Sequence, residues 1–539
     1  MKTITSQNQL DENIRELFEE NTQKRYELLR TILKGRDEKN RRRPCLNEIS
    51  GLDDIIPEGC SGVKRANDLI TRFQNIQKEQ DLSFGKYNFA HELIGRNPFN
   101  TEMPFIQGVL YNGNFVTRQV SPYATAVYEM LNSMYKQFFD LNPTHQVLMT
   151  LGGTEANLLA LKLARNQYYL RGISDENEKK QILTSDFSHL KKPKPISLVT
   201  ESMHYSISNI IHTLGQQKPT LIPVNKDYKM DINKFKEVLQ TQDLDSIASI
   251  TSIFGSTESG STDDICRIVE LAKKYVPKAW LHLDAAYGAP FLRLKKFEKE
   301  LSVLNEFDSI TFDPHKHLFV PYNCGSLILK DPKLLRTIST DAPYIGNDGV
   351  SELSDDVFLR ELPYHLGSVT MNGSTTTAGV ISAYTSFKTL GLRGIERICE
   401  KGIENANYLS QILNERQTEY GTIEVINPIP DLNLLNFRFV PKELVLQGRG
   451  KKQSFFNKTV CEDDQKYINN INSNITKEFD SPRTQFHISS TTLKKFDMYV
   501  NRVVLMDPCI TTDLLDHFTR DYQMAIKRVM CGQHNNYEK

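Results

Sequence analysis

The sequence predicts an α/β protein built on a largely parallel sheet, followed by a smaller C-terminal α+β unit. Two observations carry this. Between residues 145 and 329, short apolar, β-branched runs alternate with stretches of helical periodicity joined by short connections, the pattern of a parallel sheet with crossover helices. Beyond a long helical stretch at 376–415, the order changes to strand-like runs at 422–426, 432–439, 484–489 and 499–506 and a closing helix from 511.

Taken in order, residues 8–35 place Leu10, Ile14, Leu17, Phe18, Tyr26, Leu29 and Leu33 at helical spacing, so an N-terminal helical segment is expected. Residues 36–66 are charged and broken by Pro44, Pro57 and glycines, which reads as a linker. Residues 84–123 carry Gly, Pro, Asn and aromatics without clean periodicity and are expected to be loop or the wall of a site. Helical spacing returns from Tyr123 to Phe139. Strands are then expected at 147–149, 196–199, 220–224, 247–254, 280–283, 309–312 and 325–329. Helices are expected at 155–168 and 265–275. Residues 171–194, rich in lysine and acid, read as a surface insertion, and 448–480 as a polar loop. The helix at 376–415 is expected to break near Gly391 and Gly394. The resulting division is 1–105 for the N-terminal segment and linker, 106–385 for the large domain and 386–539 for the small one.

Composition narrows the partners. Lys+Arg and Asp+Glu are both 66 in 539 residues, so no net charge draws the chain to nucleic acid or an anionic membrane. The eight cysteines form no C-x-x-C pair, which gives neither a disulfide framework nor a zinc site. The first residues lack an apolar signal region and no 18-residue apolar run occurs. The expectation is a soluble protein of a reducing, cytoplasmic compartment, with no nucleic acid, membrane or metal partner.

In open α/β sheets, ligands bind beyond the carboxyl ends of the strands. After strand 147–149 comes Thr150-Leu-Gly-Gly-Thr-Glu-Ala-Asn157, where two glycines open the backbone, Thr154 can cap, and a helix starts; such a helix start suits an anion. An ordinary glycine turn accounts for the same residues. After strand 196–199 comes His204, able to stack on a planar ring or simply to sit at the surface. Ser256 and Thr257 follow strand 247–254. Asp284 follows strand 280–283 and precedes two alanines too small to cover it, where a buried carboxylate calls for a cationic or donor partner. Lys316 follows strand 309–312 in Asp313-Pro-His-Lys-His-Leu318, 32 residues after Asp284. In apolar surroundings its amine would lose hydration and become a nucleophile able to form an imine; a lysine snorkelling to water fits the segment as well. One cofactor accounts for the whole set. Pyridoxal phosphate needs an anion cradle (Gly153, Thr154), a stacking ring (His204), a carboxylate for its ring nitrogen (Asp284) and an imine lysine (Lys316).

The motifs Gly152-Gly-Thr-Glu-Ala-Asn157, His204-Tyr-Ser206, His282-Leu-Asp-Ala-Ala-Tyr-Gly288 and Asp313-Pro-His-Lys-His-Leu318 closely resemble the group II pyridoxal-phosphate-dependent amino acid decarboxylases, over roughly residues 85–530. The resemblance implies a fold-type I, aspartate aminotransferase-like architecture with a seven-stranded, mostly parallel sheet. It also implies a homodimer whose active site is shared between subunits. It further implies that Ala286 packs on the ring face opposite His204, that His315 joins Gly153 and Thr154 at the phosphate, and that Ser256 or Thr257 meets the 3-hydroxyl. A tyrosine on a mobile loop would protonate the product carbon; Tyr344, 28 residues past Lys316, is the matching position. Ala342-Pro-Tyr-Ile345 and Asn501-Arg-Val-Val-Leu-Met-Asp-Pro508 look most like the tyrosine decarboxylase branch. His317 stands where the family usually has an aromatic, and Gly373-Ser374-Thr375 lacks the family's arginine. The expected reaction is decarboxylation of an aromatic L-amino acid such as tyrosine. Glutamate or another amino acid, a carbon–carbon lyase, and a catalytically silent binding protein are the alternatives.

Overall fold

A computed structural model describes residues 7–18, 27, 30, 87–90, 97–185, 187, 190–339, 354–446, 461–481 and 483–537. Tyr344, the Ala342–Ile345 motif and the 36–66 linker lie outside the described residues. Seven strands form the main sheet: β1 (Gln146–Thr150), β2 (Ile196–Thr200), β3 (Thr220–Ile222), β4 (Ile247–Ile253), β5 (Trp280–Asp284), β6 (Ser309–Phe312) and β7 (Gly325–Leu329). Their order is β1-β7-β6-β5-β4-β2-β3. Only β7 runs antiparallel to its neighbours, entering between β1 and β6. β4 to β7 are buried at every position, which is why they read as continuous apolar or small-residue runs rather than alternating ones.

Helices cover the sheet. Among the described residues these include the N-terminal helix α1 (Gln7–Phe18), α2 (Phe99–Tyr111), α3 (Pro122–Phe138) and α4 (Gly153–Leu170), which crosses beneath β4 to β7. The helix α2 corrects the expectation of irregular chain at 84–123. Its Pro104 sits in the second turn, and its buried Asn100 and Thr101 hide the apolar periodicity. Within 171–194 a short helix, α5 (Glu176–Leu183), is capped by Asp175, whose carboxylate accepts from the Glu178 N–H. Beyond β2 lies α6 (Tyr205–Thr213), and beyond β4 lies α7 (Ile265–Tyr275).

The long helix α8 (Ala378–Glu415) leads from the large sheet to the small one and is interrupted at Gly391, where φ is 62°. The small sheet is antiparallel: β8 (Gln417–Thr418), β9 (Gly421–Val425), β10 (Leu434–Pro441), β11 (Ser489–Leu493) and β12 (Met498–Val504), in the order β11-β12-β10-β9-β8. It is backed by α9 (Glu462–Asp480) and α10 (Thr512–Tyr537). The helix α9 corrects the reading of 448–480 as a polar loop. Ile468, Ile471, Ile475 and Phe479 form a buried stripe at helical spacing that surrounding polar residues disguise. The start of α1 packs on α8, with Ile14 buried and Asp11 paired to Arg397 at 2.7 Å.

Candidate active site

The carboxyl ends of β1, β2, β4, β5 and β6 open into one cavity of about 670 Å³. Gly153, Thr154, His204, Ser256, Thr257, Asp284, Ala286, His315 and Lys316 all line it, so the structure brings together every candidate residue except Tyr344.

The N-terminus of α4 forms one end of the cavity. Gly152 occupies the N-cap position and no side chain caps it, which corrects the capping role expected of Thr154; Thr154 lies within the first turn instead. A Cβ on Gly153 would lie 2.9 Å from Asp313 Oδ2 and 3.2 Å from the Ala286 Cβ, so glycine here is what lets the helix start approach β5 and β6. Glu155 holds the entrance: its carboxylate accepts from the Leu151 N–H at 2.8 Å and from the Met371 N–H at 3.2 Å.

Lys316 sits in a turn fixed from two sides. The Thr101 hydroxyl on α2 donates to the Phe319 carbonyl at 2.6 Å, and the Ser386 hydroxyl on α8 donates to the Leu318 carbonyl at 2.7 Å. The amine is 3.5 Å from the Asp313 carboxylate, so its surroundings are charged, not apolar as the flanking residues suggest. His315 Nε2 lies 3.5 Å from that same carboxylate oxygen. His315 Nδ1 accepts from the Cys324 N–H at 3.3 Å, which puts the ring proton on Nε2, and the ring packs against Tyr322 with centroids 4.2 Å apart.

Asp284, at the end of β5, accepts from the Asn157 amide at 2.9 Å and from the Ala286 N–H at 3.2 Å. Those donors stabilise a carboxylate that is only 7% exposed. His204 caps α6, its Nδ1 2.8 Å from the Ser206 hydroxyl. Ser256 is buried, and its hydroxyl is 2.7 Å from that of Ser259 within a loop cluster; Thr257 is exposed on the cavity wall. Sequence reasoning missed Asn157, Asp313, Tyr322, Met371 and Asn372, which also line the cavity. Asn157 was detectable, one helical turn past Gly153 and so on the same face. Met371 and Asn372 arrive from a distant loop and carry no local signal.

Residues 108–439, more than half of the chain, match the model of the pyridoxal-dependent decarboxylase conserved domain. The chain belongs to this family. It is therefore a pyridoxal-phosphate-dependent carboxy-lyase of the amino acid decarboxylases. A probable L-tyrosine/L-aspartate decarboxylase of Methanosphaera stadtmanae is 28% identical over 316 residues, 58% of this chain and 68% of that protein. An aspartate 1-decarboxylase of Aliivibrio fischeri is 28% identical over 373 residues, 68% of this chain and 64% of the relative, so the chain spans slightly less than two thirds of it. An L-tyrosine decarboxylase of Enterococcus faecium is 27% identical over 285 residues, 45% of each chain. Among solved structures, mouse CSAD in apo form superimposes with a TM-score of 0.71 at 17% identity, covering 93% of this chain and 98% of that one. Oryza sativa TDC with PLP and tryptamine gives 0.68 at 16% identity, covering 98% and 100%. The family architecture is thus that of the main sheet and the smaller C-terminal unit. No helix among the described residues is long and apolar enough to cross a membrane.

The cavity suits this cofactor. It offers an amine, a buried carboxylate held by two donors, an imidazole on the wall, and a helix N-terminus with no side-chain cap, kept open by Gly153.

Proposed function

We propose that this protein removes CO₂ from an aromatic L-amino acid such as tyrosine. The observation that carries the reading is that Lys316 and Asp284, on successive strand ends, line one cavity whose end is the N-terminus of α4. In this assignment Lys316 holds the cofactor through its amine. Gly153, Thr154 and His315 bind the phosphate, and His204 and Ala286 enclose the ring from its two faces. Ser256 or Thr257 meets the 3-hydroxyl. Asp284 keeps a proton on the ring nitrogen. Bound pyridoxal phosphate supplies an electron sink for the pair released when the carboxylate leaves. His204 or Tyr344 delivers the proton to the product carbon; Tyr344 lies outside the described residues.

The aromatic preference draws on the walls. Leu151, Leu158, Tyr205, Tyr322 and Met371 supply apolar and ring surface. No arginine is among the described lining residues, so an acidic substrate side chain would meet no guanidinium there. Relatives named for tyrosine agree with this reading, and those named for aspartate define the competitor. We also propose a homodimer with a shared site. Val109, Tyr111, Val120, Tyr123 and Met130, on α2, α3 and the turn joining them, are 45–67% exposed, an apolar surface suited to a second copy.

The test is CO₂ release by the cofactor-loaded protein across the common L-amino acids. Tyrosine or another aromatic should lead, and a clear preference for aspartate or glutamate would overturn the substrate assignment. Lys316→Ala should lose both turnover and the borohydride-sensitive absorbance. Asp284→Ala should lower kcat roughly 10³-fold, about 4 kcal/mol of transition-state stabilisation.

A further inference from the structure

β5 spends three buried positions on one face in an unusual way. Trp280, His282 and Asp284 alternate along the strand and therefore point to the same side. Ser309 and Thr311 of β6 stand beside them, paired in register with His282 and Asp284. Apolar side chains would fill this face at lower desolvation cost. Instead the polar groups join end to end. The Trp280 indole N–H donates to Ser309 Oγ at 2.7 Å. Ser309 Oγ lies 2.8 Å from His282 Nδ1. His282 Nε2 lies 2.9 Å from the Asn157 carbonyl, which also accepts from the Thr311 hydroxyl at 2.6 Å. The Asn157 amide then donates to Asp284 Oδ2 at 2.9 Å.

Chemistry at the carboxylate end fixes the direction. An indole N–H only donates, so Ser309 Oγ accepts from Trp280 and keeps a second lone pair and its own hydrogen for the contact with His282 Nδ1. A carboxylate only accepts, so Asn157 turns its amide to Asp284 and its carbonyl to His282, whose proton must then be on Nε2. With that proton on Nε2, Nδ1 of the neutral ring can only accept, so the Ser309 hydroxyl gives it its hydrogen and the relay runs one way.

We propose that Trp280, Ser309, His282 and Asn157 form a one-way hydrogen-bond relay that orients the Asp284 carboxylate, and that the four are positioning residues of the site. The catalytic consequence rests on Asp284 serving the cofactor's ring nitrogen, as assigned above; the relay itself does not. Its neutral member is consistent with burial, which holds the His282 imidazole down at about 4. No charge travels along it, and the negative charge stays on Asp284. What the relay provides is rigidity, since every rotor in it has a single satisfied orientation.

The test uses the pyridoxal-phosphate-loaded protein and a double-mutant cycle between the relay's ends, Asn157→Leu and Trp280→Phe, with His282→Gln as the conservative variant. Trp280 is the chain's single tryptophan, so its emission reports the indole environment without interference. Imidazole nitrogen NMR should show His282 neutral with the proton on Nε2. Asn157→Leu should release cofactor roughly 10-fold faster and lower kcat with KM little changed. Trp280→Phe should act in the same direction and more weakly. The double variant should be no worse than Asn157→Leu, because one break already opens the relay. His282→Gln, which keeps a donor facing Asn157, should retain more cofactor than His282→Phe. Strictly additive losses, or a His282 proton on Nδ1, would overturn the proposal. If Asp284→Ala retains cofactor and turnover while the relay variants keep the predicted tautomer, then the role assigned to Asp284 fails and the relay stands.

Discussion

Two buried groups, His282 and Asp263, tilt stability against pH in opposite directions. His282 is held at about 4 against 6.5 in the unfolded chain. As pH falls through that interval the unfolded chain takes up a proton that folded His282 refuses, so stability is lost on the acid side, by about 3 kcal/mol in all. Asp263, fully enclosed and accepting from the Met230 and Ile253 N–H groups, is pushed up to about 6 by burial. Folded Asp263 keeps its proton where the unfolded chain has lost it, so stability declines as pH rises from 3.8 to 6, by about 3 kcal/mol. Between 4 and 6 the two slopes nearly cancel. His282→Gln removes only the first. Urea unfolding across this range should therefore show the variant losing stability with rising pH relative to the parent chain. Parallel profiles would mean that His282 is not held neutral.

The reversed strand β7 decides the geometry at the α4 end of the cavity. Gly325 pairs in register with Thr150 at the end of β1. A Cβ on it would fall 2.4 Å from the Gly152 Cα, in the turn that starts α4. Gly325→Ala must push that backbone away, and overpacking of this kind costs on the order of 1–3 kcal/mol. Thermal denaturation should register the loss. Cofactor affinity should fall along with it, because the displaced backbone is the start of the anion-binding helix. An alanine variant with wild-type affinity would separate the turn from the phosphate. The turn after Lys316 is secured differently, through hydroxyl-to-carbonyl bonds from α2 and α8. Removing one such hydroxyl, as in Thr101→Val, should loosen Lys316 without touching the cavity wall.

Across the whole molecule, the small sheet supports the site through Arg502 on β12. Its guanidinium donates to the Thr257 carbonyl at 2.8 Å and the Ala90 carbonyl at 3.0 Å, tying a cavity loop to the C-terminal unit and to the chain before α2. Arg502→Met should keep much of the stem's packing but free that loop, so its effect should be larger on activity than on melting temperature. The proposed dimer is tested on the same scale. Val120→Asp together with Tyr123→Asp puts charge on the exposed surface made by the turn before α3 and the first turn of that helix. Light scattering should then report a monomer with unchanged helix content, and activity should be lost with the partner. A dimer that persists would move the interface elsewhere.

By itself the sequence determined the strand succession and the chemistry at each strand end. Buried strands show as apolar runs whatever their neighbours, and Gly153, His204, Asp284 and Lys316 each follow such a run within a few residues. The helices α2 and α9 were hidden because buried Asn100, Thr101, Gln465 and Asn472 break the apolar stripe. Only the tertiary structure decided that β7 enters reversed between β1 and β6, that Asp313 stands beside the Lys316 amine, and that Met371 and Asn372 reach the cavity rim. It also decided that Asn157, on a helix, meets His282 and Asp284, on a strand more than a hundred residues away. Local pattern records which side of an element is buried; which polar groups share that interior depends on sheet order, and sheet order is a property of the packed chain.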